Sequence, residues 1–232
     1  MFPLRDENPS HSVPVVTRVL IVVNALVFIY QVMLGPEVGY FMLEWGMVPA
    51  RLSLALQRGG EPWSGPGLTL VSSMFLHGGW LHLVGNMWYL WIFGDNIEDR
   101  LGHGKFLGFY LLAGIGAALL HYALNPASRV PTVGASGAIA GVLGGYLVAF
   151  PRARIITLVP LFPFFQVMPL PALVVLGLWF VMQFFSGALS LGFGAAGGGV
   201  AWWAHVGGFA FGIVGMWVLG GARRRTSDVW ET

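Results

Sequence analysis

An all-α membrane protein, a six-transmembrane-helix bundle with both termini cytoplasmic, is the fold class this sequence predicts. Three observations lead there. Of the 232 residues, 56% are hydrophobic and 9% charged, against about 25% charged in a soluble domain. Six apolar runs approach the roughly 20 residues that a bilayer-spanning helix needs. Lys and Arg collect in alternate connections, the pattern that sets orientation.

The runs cover 17–34, 74–93, 105–124, 133–150, 171–189 and 200–219. They divide the chain into a short cytoplasmic N-terminal segment (1–16), a six-span domain (17–219) and a cytoplasmic tail (220–232). No cleavable signal is expected, because the first run follows a polar stretch of mixed charge without a small-residue cleavage site. With the N-terminus inside, Arg5, Arg18, Arg100, Lys105, Arg152, Arg154 and Arg223 to Arg225 lie inside, and Arg51, Arg58 and Arg129 outside. That nine-to-three ratio places both termini inside. The connection 35–73 is long and carries Phe41, Met42, Trp45 and Trp63. It is expected either to rest on or dip into the outer interface or to pack as an ordinary loop. The stretch 155–170 is apolar but interrupted by Pro160, Pro163 and Pro169. It is expected at the interface, or as an irregular lead-in to the fifth span. The segment 187–199 holds six glycines and reads as the connection to the sixth span, either a mobile flap over the site or simply a flexible loop.

Polar residues inside spans are costly and point to function. Spans two, four and six all run from outside to inside. His82 and Asn86 fall in the outer half of span two, Ser136 opens span four, and His205 begins span six. All four therefore share one depth. Small residues let membrane helices approach. Gly137, Gly141 and Gly145 form such a stripe in span four, and Ala204, Gly208 and Gly212 another in span six. If the stripes face each other, Ser136 meets His205.

A serine hydroxyl needs a neighbouring base to attack a carbonyl, and His205 can take and return the proton. The carboxylates nearest the spans, Asp95, Glu98 and Asp99, sit at the opposite end of span two. A Ser–His dyad without an acid is expected, with packing or backbone holding the ring. Asn86 and His82, four apart on one helix face, can donate to a developing oxyanion. So can the backbone N–H groups of Ser136 and Gly137 at a helix start. His77 reads as interfacial and His121 as structural.

Other classes fit less well. There are no cysteines, so thiol catalysis and cysteine metal sites are excluded. No His-Glu-x-x-His motif is present, and Ala138 breaks a Gly-x-Ser-x-Gly pattern. No cofactor or metal is expected. No basic tract marks a nucleic-acid surface. A transporter would call for repeats or broken helices meeting at the midplane, whereas the polar cluster lies near one face.

Three segments carry a family resemblance. His77-Gly-Gly-Trp80-Leu-His82-Leu-Val-Gly-Asn86 resembles the second-helix motif of rhomboid proteases. Gly134-Ala-Ser136-Gly137 resembles their nucleophile motif, and Ala204-His205-Val-Gly-Gly208 with Gly212 their sixth-helix motif. The resemblance spans roughly 72–219 and keeps the family's motif order. It implies an intramembrane serine endopeptidase that cuts transmembrane segments of membrane-protein substrates. Ser136 would be the nucleophile and His205 the base, with Asn86, His82 and the Ser136 backbone as oxyanion hole. Glu98 and Arg100 match a further family segment and read as structural. A non-proteolytic, client-binding relative is the alternative, although such proteins typically lack the serine or histidine. One position departs: Ala140 stands where the family often has an aromatic beneath the histidine. Trp202, Trp203 or Tyr146 could support the ring instead. The expected setting is a prokaryotic plasma membrane, multi-pass, with the site facing outward.

Overall fold

A computed structural model describes residues 1–59, 65–193 and 201–220. It is mostly helical, as the apolar runs require. The helices are α1 (Val15–Met33), α2 (Val38–Trp45), α3 (Pro49–Gln57), α4 (Thr69–Ser72), α5 (Trp80–Leu101), α6 (His103–Leu124), α7 (Ser136–Ala149), α8 (Ala172–Phe193) and α9 (Trp202–Gly220). Four of them, α1, α6, α8 and α9, are long and apolar enough to cross a membrane. α7 is apolar but shorter. α5 begins later than expected and carries its charges, Asp95 to Arg100, in its last two turns.

α7 is the axis of the bundle. Its residues Gly137 to Tyr146 are all buried, packed by α5, α6, α8 and α9. Glycine makes the α7–α9 contact possible. A Cβ at Gly208 would overlap the Gly137 carbonyl, and one at Gly212 the Gly141 carbonyl. The two stripes therefore do face each other. Gly145 is the exception, since it meets Phe109 and Met216 side chains, while Gly144 lies against the Phe209 backbone.

Glu98 ties α1 to α5. Its fully buried carboxylate accepts from Val16 N at 2.8 Å and from Thr17 N and Oγ1 at 2.7 Å. It thereby satisfies donors that a helix start leaves open. His103 Nδ1 bonds the same carboxylate at 2.5 Å.

Two expectations need correction, the first and third below, and one gains detail. First, the fold is not all-α. Strands β1 (Phe2–Asp6), β2 (Arg154–Leu161) and β3 (Phe164–Pro171) form an antiparallel sheet in that order. Phe2 pairs with Leu158 and Asp6 with Ile155, and β2 pairs with β3 from Arg154↔Pro171 to Leu161↔Phe164. The stretch 155–170 is thus a hairpin, and 1–16 contributes a strand. The prolines do not forbid this. Pro160 lies past the end of β1, and Pro169 and Pro171 lie on an edge strand, where a missing N–H is tolerated. Second, the long connection gains detail: it folds into α2, α3, α4 and short 3₁₀ turns. Met47, Leu52 and Leu70 form a small core with Ala118 of α6, so this segment caps the helices through its own packing. Trp63 lies outside the described residues. Third, Gly187 belongs to α8, where Trp202 and Trp203 pack against it. The rest of the expected flap, 194–199, lies outside the described residues, as do Arg223 to Arg225.

Candidate active site

The loop before α7 sets the site. Gly134 has φ +123°, and its N–H donates to Ser73 O at 2.9 Å. That backbone region disfavours any residue with a side chain. A Cβ there would also crowd the His82 ring at 2.7 Å and lie 3.5 Å from Asn86 Nδ2. Gly134 therefore lets the chain lie against the His82–Asn86 face of α5 and turn into α7 at Ser136.

Ser136 Oγ is 2.8 Å from His205 Nε2. On the other side of the ring, His205 Nδ1 is 2.7 Å from Gln183 Oε1. An amide oxygen can only accept, so the ring hydrogen sits on Nδ1. That leaves the Nε2 lone pair toward the serine, and the Ser136 hydroxyl donates to it. Trp179, one turn before Gln183 on α8, lies over the ring with centroids 6.0 Å apart at 36°. Trp202 meets it edge-on at 6.3 Å.

This answers the question raised by Ala140. Tyr146 does not support the histidine, since its hydroxyl donates to Asp6 Oδ2 at 2.6 Å. Trp203 packs on Phe184. Of the three candidates only Trp202 touches the ring, and the principal supports, Trp179 and Gln183, were missed. A signal existed. Gln183 is an amide within an apolar span, the same reason Asn86 drew notice, and Trp179 shares its helix face.

Opposite the dyad, His82 Nδ1 accepts from Gly78 N at 3.3 Å. Its hydrogen is then on Nε2, on the side of the ring that faces Gly134. Asn86 is buried, and its Nδ2 has no partner among the described residues. Among the described residues both are free donors, and they face the cavity from α5. The Ser136, Gly137 and Ala138 N–H groups, in the first turn of α7, precede the first intrahelical bond, Ile139 N to Ala135 O. All these groups line one cavity of about 790 Å³, walled by α5 on one side and by Trp179 and Gln183 of α8 on the other.

Two other histidines lie beside the site. His77, expected at the interface, lies just before α5 and is buried in the protein. Its backbone exchanges two hydrogen bonds with the Gln31 amide, and its ring packs against His82 at 5.2 Å. His121 lines the cavity, with Nδ1 unpaired among the described residues.

A model of the Rhomboid domain matches residues 62–222. The chain belongs to the rhomboid family. Presenilin-associated rhomboid-like protein A, mitochondrial, of Danio rerio is 35% identical over 159 residues, which cover 66% of this chain and 37% of that protein. Rhomboid protein 1, mitochondrial, of Saccharomyces cerevisiae is 31% identical over 161 residues, covering 66% and 42%. RHOMBOID-like protein 5 of Arabidopsis thaliana is 36% identical over 88 residues, covering 38% and 27%. This rhomboid chain thus matches less than half the length of these relatives. Two of the names place their proteins in mitochondria, so the expected prokaryotic plasma membrane finds no support among them. What stands is a membrane protein, from its apolar helices.

Proposed function

We propose that this rhomboid is an intramembrane serine endopeptidase that cuts peptide bonds in or near transmembrane segments of other membrane proteins. The observation that carries the reading is the chain of contacts Ser136 Oγ–His205 Nε2–Gln183 at 2.8 and 2.7 Å inside a cavity with unspent donors. Six membrane-crossing helices, α1 and α5 to α9, with both termini on one side, are part of this reading. The lysine and arginine distribution supports them, as do the four helices long enough and apolar enough to cross a membrane.

The Ser136 oxygen attacks the substrate carbonyl carbon while His205 Nε2 takes its proton. The carbonyl oxygen gains negative charge and meets Asn86 Nδ2, His82 Nε2 and the α7 N-terminus, donors in place before the charge appears. The C–N bond breaks, and the imidazolium returns its proton to the leaving amine. Water, activated by the same ring, then hydrolyses the Ser136 ester. A neutral amide at Nδ1 fixes the tautomer as a carboxylate would, without burying a further charge in an apolar bundle.

The substrate bond must leave its helix first, because a helical backbone shields its own carbonyls. The test uses purified protein in liposomes and a single-span substrate with a Gly-Pro pair near one end. Ser136→Ala and His205→Ala should each lose roughly 10⁴-fold or more in rate. Cleavage that survives Ser136→Ala refutes the mechanism. A folded wild type that binds such substrates and never cuts them points to a client-binding relative.

A further inference from the structure

α6 and α7 run antiparallel and meet in steps of four residues. A Cβ at Gly145 would crowd Phe109, one at Gly141 would crowd Ala113, and one at Gly137 would crowd Ala117. The next residue of this series on α6 is His121, one turn or about 6 Å further along. Its counterpart would be position 133, but α7 begins only at Ser136. His121 therefore stands on the face of α6 turned to α7, at a level where no α7 residue fills the space opposite. A helical side chain leans back toward the N-terminus of its own helix, which here is the direction of Ala117 and of the Ser136 level. The ring accordingly lines the cavity.

The polar neighbours of His121 on this wall are spent on backbone. Asn125 Nδ2 donates to His121 O at 3.1 Å, and Ser128 Oγ accepts from Val130 N at 3.3 Å. The His121 ring is not spent. Its Nδ1 is buried and unpaired among the described residues, a state that costs free energy until a partner arrives. The wall beside it is built of small residues, Ala117 and Ala118. Among the described residues no Asp, Glu, Lys or Arg lines the cavity; its titratable groups are His82, Tyr89, His121 and His205. A carboxylate or amide oxygen entering this space meets histidine donors. A lysine or arginine side chain meets no counter-charge and would be buried unpaired.

We propose that His121 is a specificity-determining residue: its ring donates to the side-chain oxygen of an Asp or Asn that lies within about two residues of the substrate's scissile bond. The inference rests on the cavity being a protease site. The reach follows from the helix step, since an extended chain covers the 6 Å between the levels of Ala117 and His121 in about two residues. The small wall residues leave room for a short side chain. No partner holds Nδ1, so the ring can place its hydrogen on whichever nitrogen meets the substrate oxygen. His121 takes no part in the proton transfers, which run through His205 Nε2. A site that donates to a substrate group discriminates against the analogue that lacks it, and the absence of an acid in the cavity excludes the basic alternatives.

The test uses single-span peptides in liposomes that carry Ala, Asn, Asp or Lys at each of four positions around a Gly-Pro pair, with the cut mapped by mass spectrometry. The readout is kcat/KM relative to the Ala peptide, a ratio that a general loss of activity does not move. Wild type should show a position at which Asn and Asp raise the ratio about tenfold and Lys lowers it below one. His121→Leu should bring the Asn and Asp ratios there to about one, and His121→Gln, which keeps a donor, should restore much of the preference. A wild type without such a position overturns the proposal, and so does a preference that survives His121→Leu. Fluorescent forms of the same peptides are also titrated into liposomes holding the Ser136→Ala protein, where the preference should appear in Kd. This arm separates two failures. A wild type that never cuts, beside a Ser136→Ala protein that prefers the Asn and Asp peptides, overturns the protease reading and leaves His121 as a binding determinant. Equal Kd for the Ala, Asn and Asp peptides overturns the role of His121, whatever the wild type cuts.

Discussion

In the proposed mechanism, Gln183 lets a dyad work without an acid. Removing its amide leaves His205 Nδ1 without an acceptor in a buried site and frees the ring to change tautomer. One such bond is worth about 1–3 kcal/mol, so Gln183→Leu should lower kcat by roughly tenfold to a hundredfold, with KM for a single-span substrate little changed. Gln183→Glu should recover part of that loss, because a carboxylate oxygen still accepts from Nδ1–H. Wild-type kcat in the Gln183→Leu enzyme would show that Trp179 and Trp202 alone hold the ring. The pairing of Ser136 with His205 was legible in the sequence because both stood out from apolar surroundings at one depth. Their support was not. Which aromatic lies beneath a histidine depends on helix rotation, and the α8 residues that do the work, Trp179 and Gln183, are 26 and 22 positions away.

Among the elements, α7 and α9 carry the site, and their separation is set by absent side chains. Gly212 lies on the Gly141 backbone, so a methyl group there must push the helices apart. Overpacking of this kind costs about 1–3 kcal/mol, which Gly212→Ala should show as a lower unfolding temperature. Activity should fall further than stability, because the same displacement lengthens the Ser136–His205 contact. Gly104→Ala is the control, since it meets nothing within 4 Å; equal effects from both would deny the close-packing account. Helix stripes were readable because small residues recur at helical spacing. The hairpin was not, because 155–171 is apolar on both strand faces and gives no alternation. Its prolines read as interruptions until the register placed Pro169 and Pro171 on a free edge and Pro160 beyond the partner strand.

At the scale of the molecule, the sheet is held to the bundle by a titratable clasp that no local motif announces. Asp6 of β1 accepts from Tyr146 of α7 at 2.6 Å, joining residues 140 positions apart. Burial pushes the Asp6 carboxyl up from 3.8 to about 6; the Tyr146 hydrogen bond opposes that rise and nearby Asp95 adds to it. A group whose folded pKa is raised holds its proton more tightly in the folded state. Its contribution to stability is fully present below about pH 4 and is lost as pH climbs to about 6. Unfolding in detergent should therefore occur at lower temperature at pH 7 than at pH 4.5, as far as this group governs it. Asp6→Asn keeps an acceptor for Tyr146 and removes the charge. It should raise the unfolding temperature at pH 7 and flatten the profile between pH 4 and 6. A steeper or unchanged profile would place the pH response in another group. If the flattening is seen and the cleavage rate in liposomes also changes across the same window, the anchoring of β1 is coupled through Tyr146 of α7 to the proposed site at the other end of that helix.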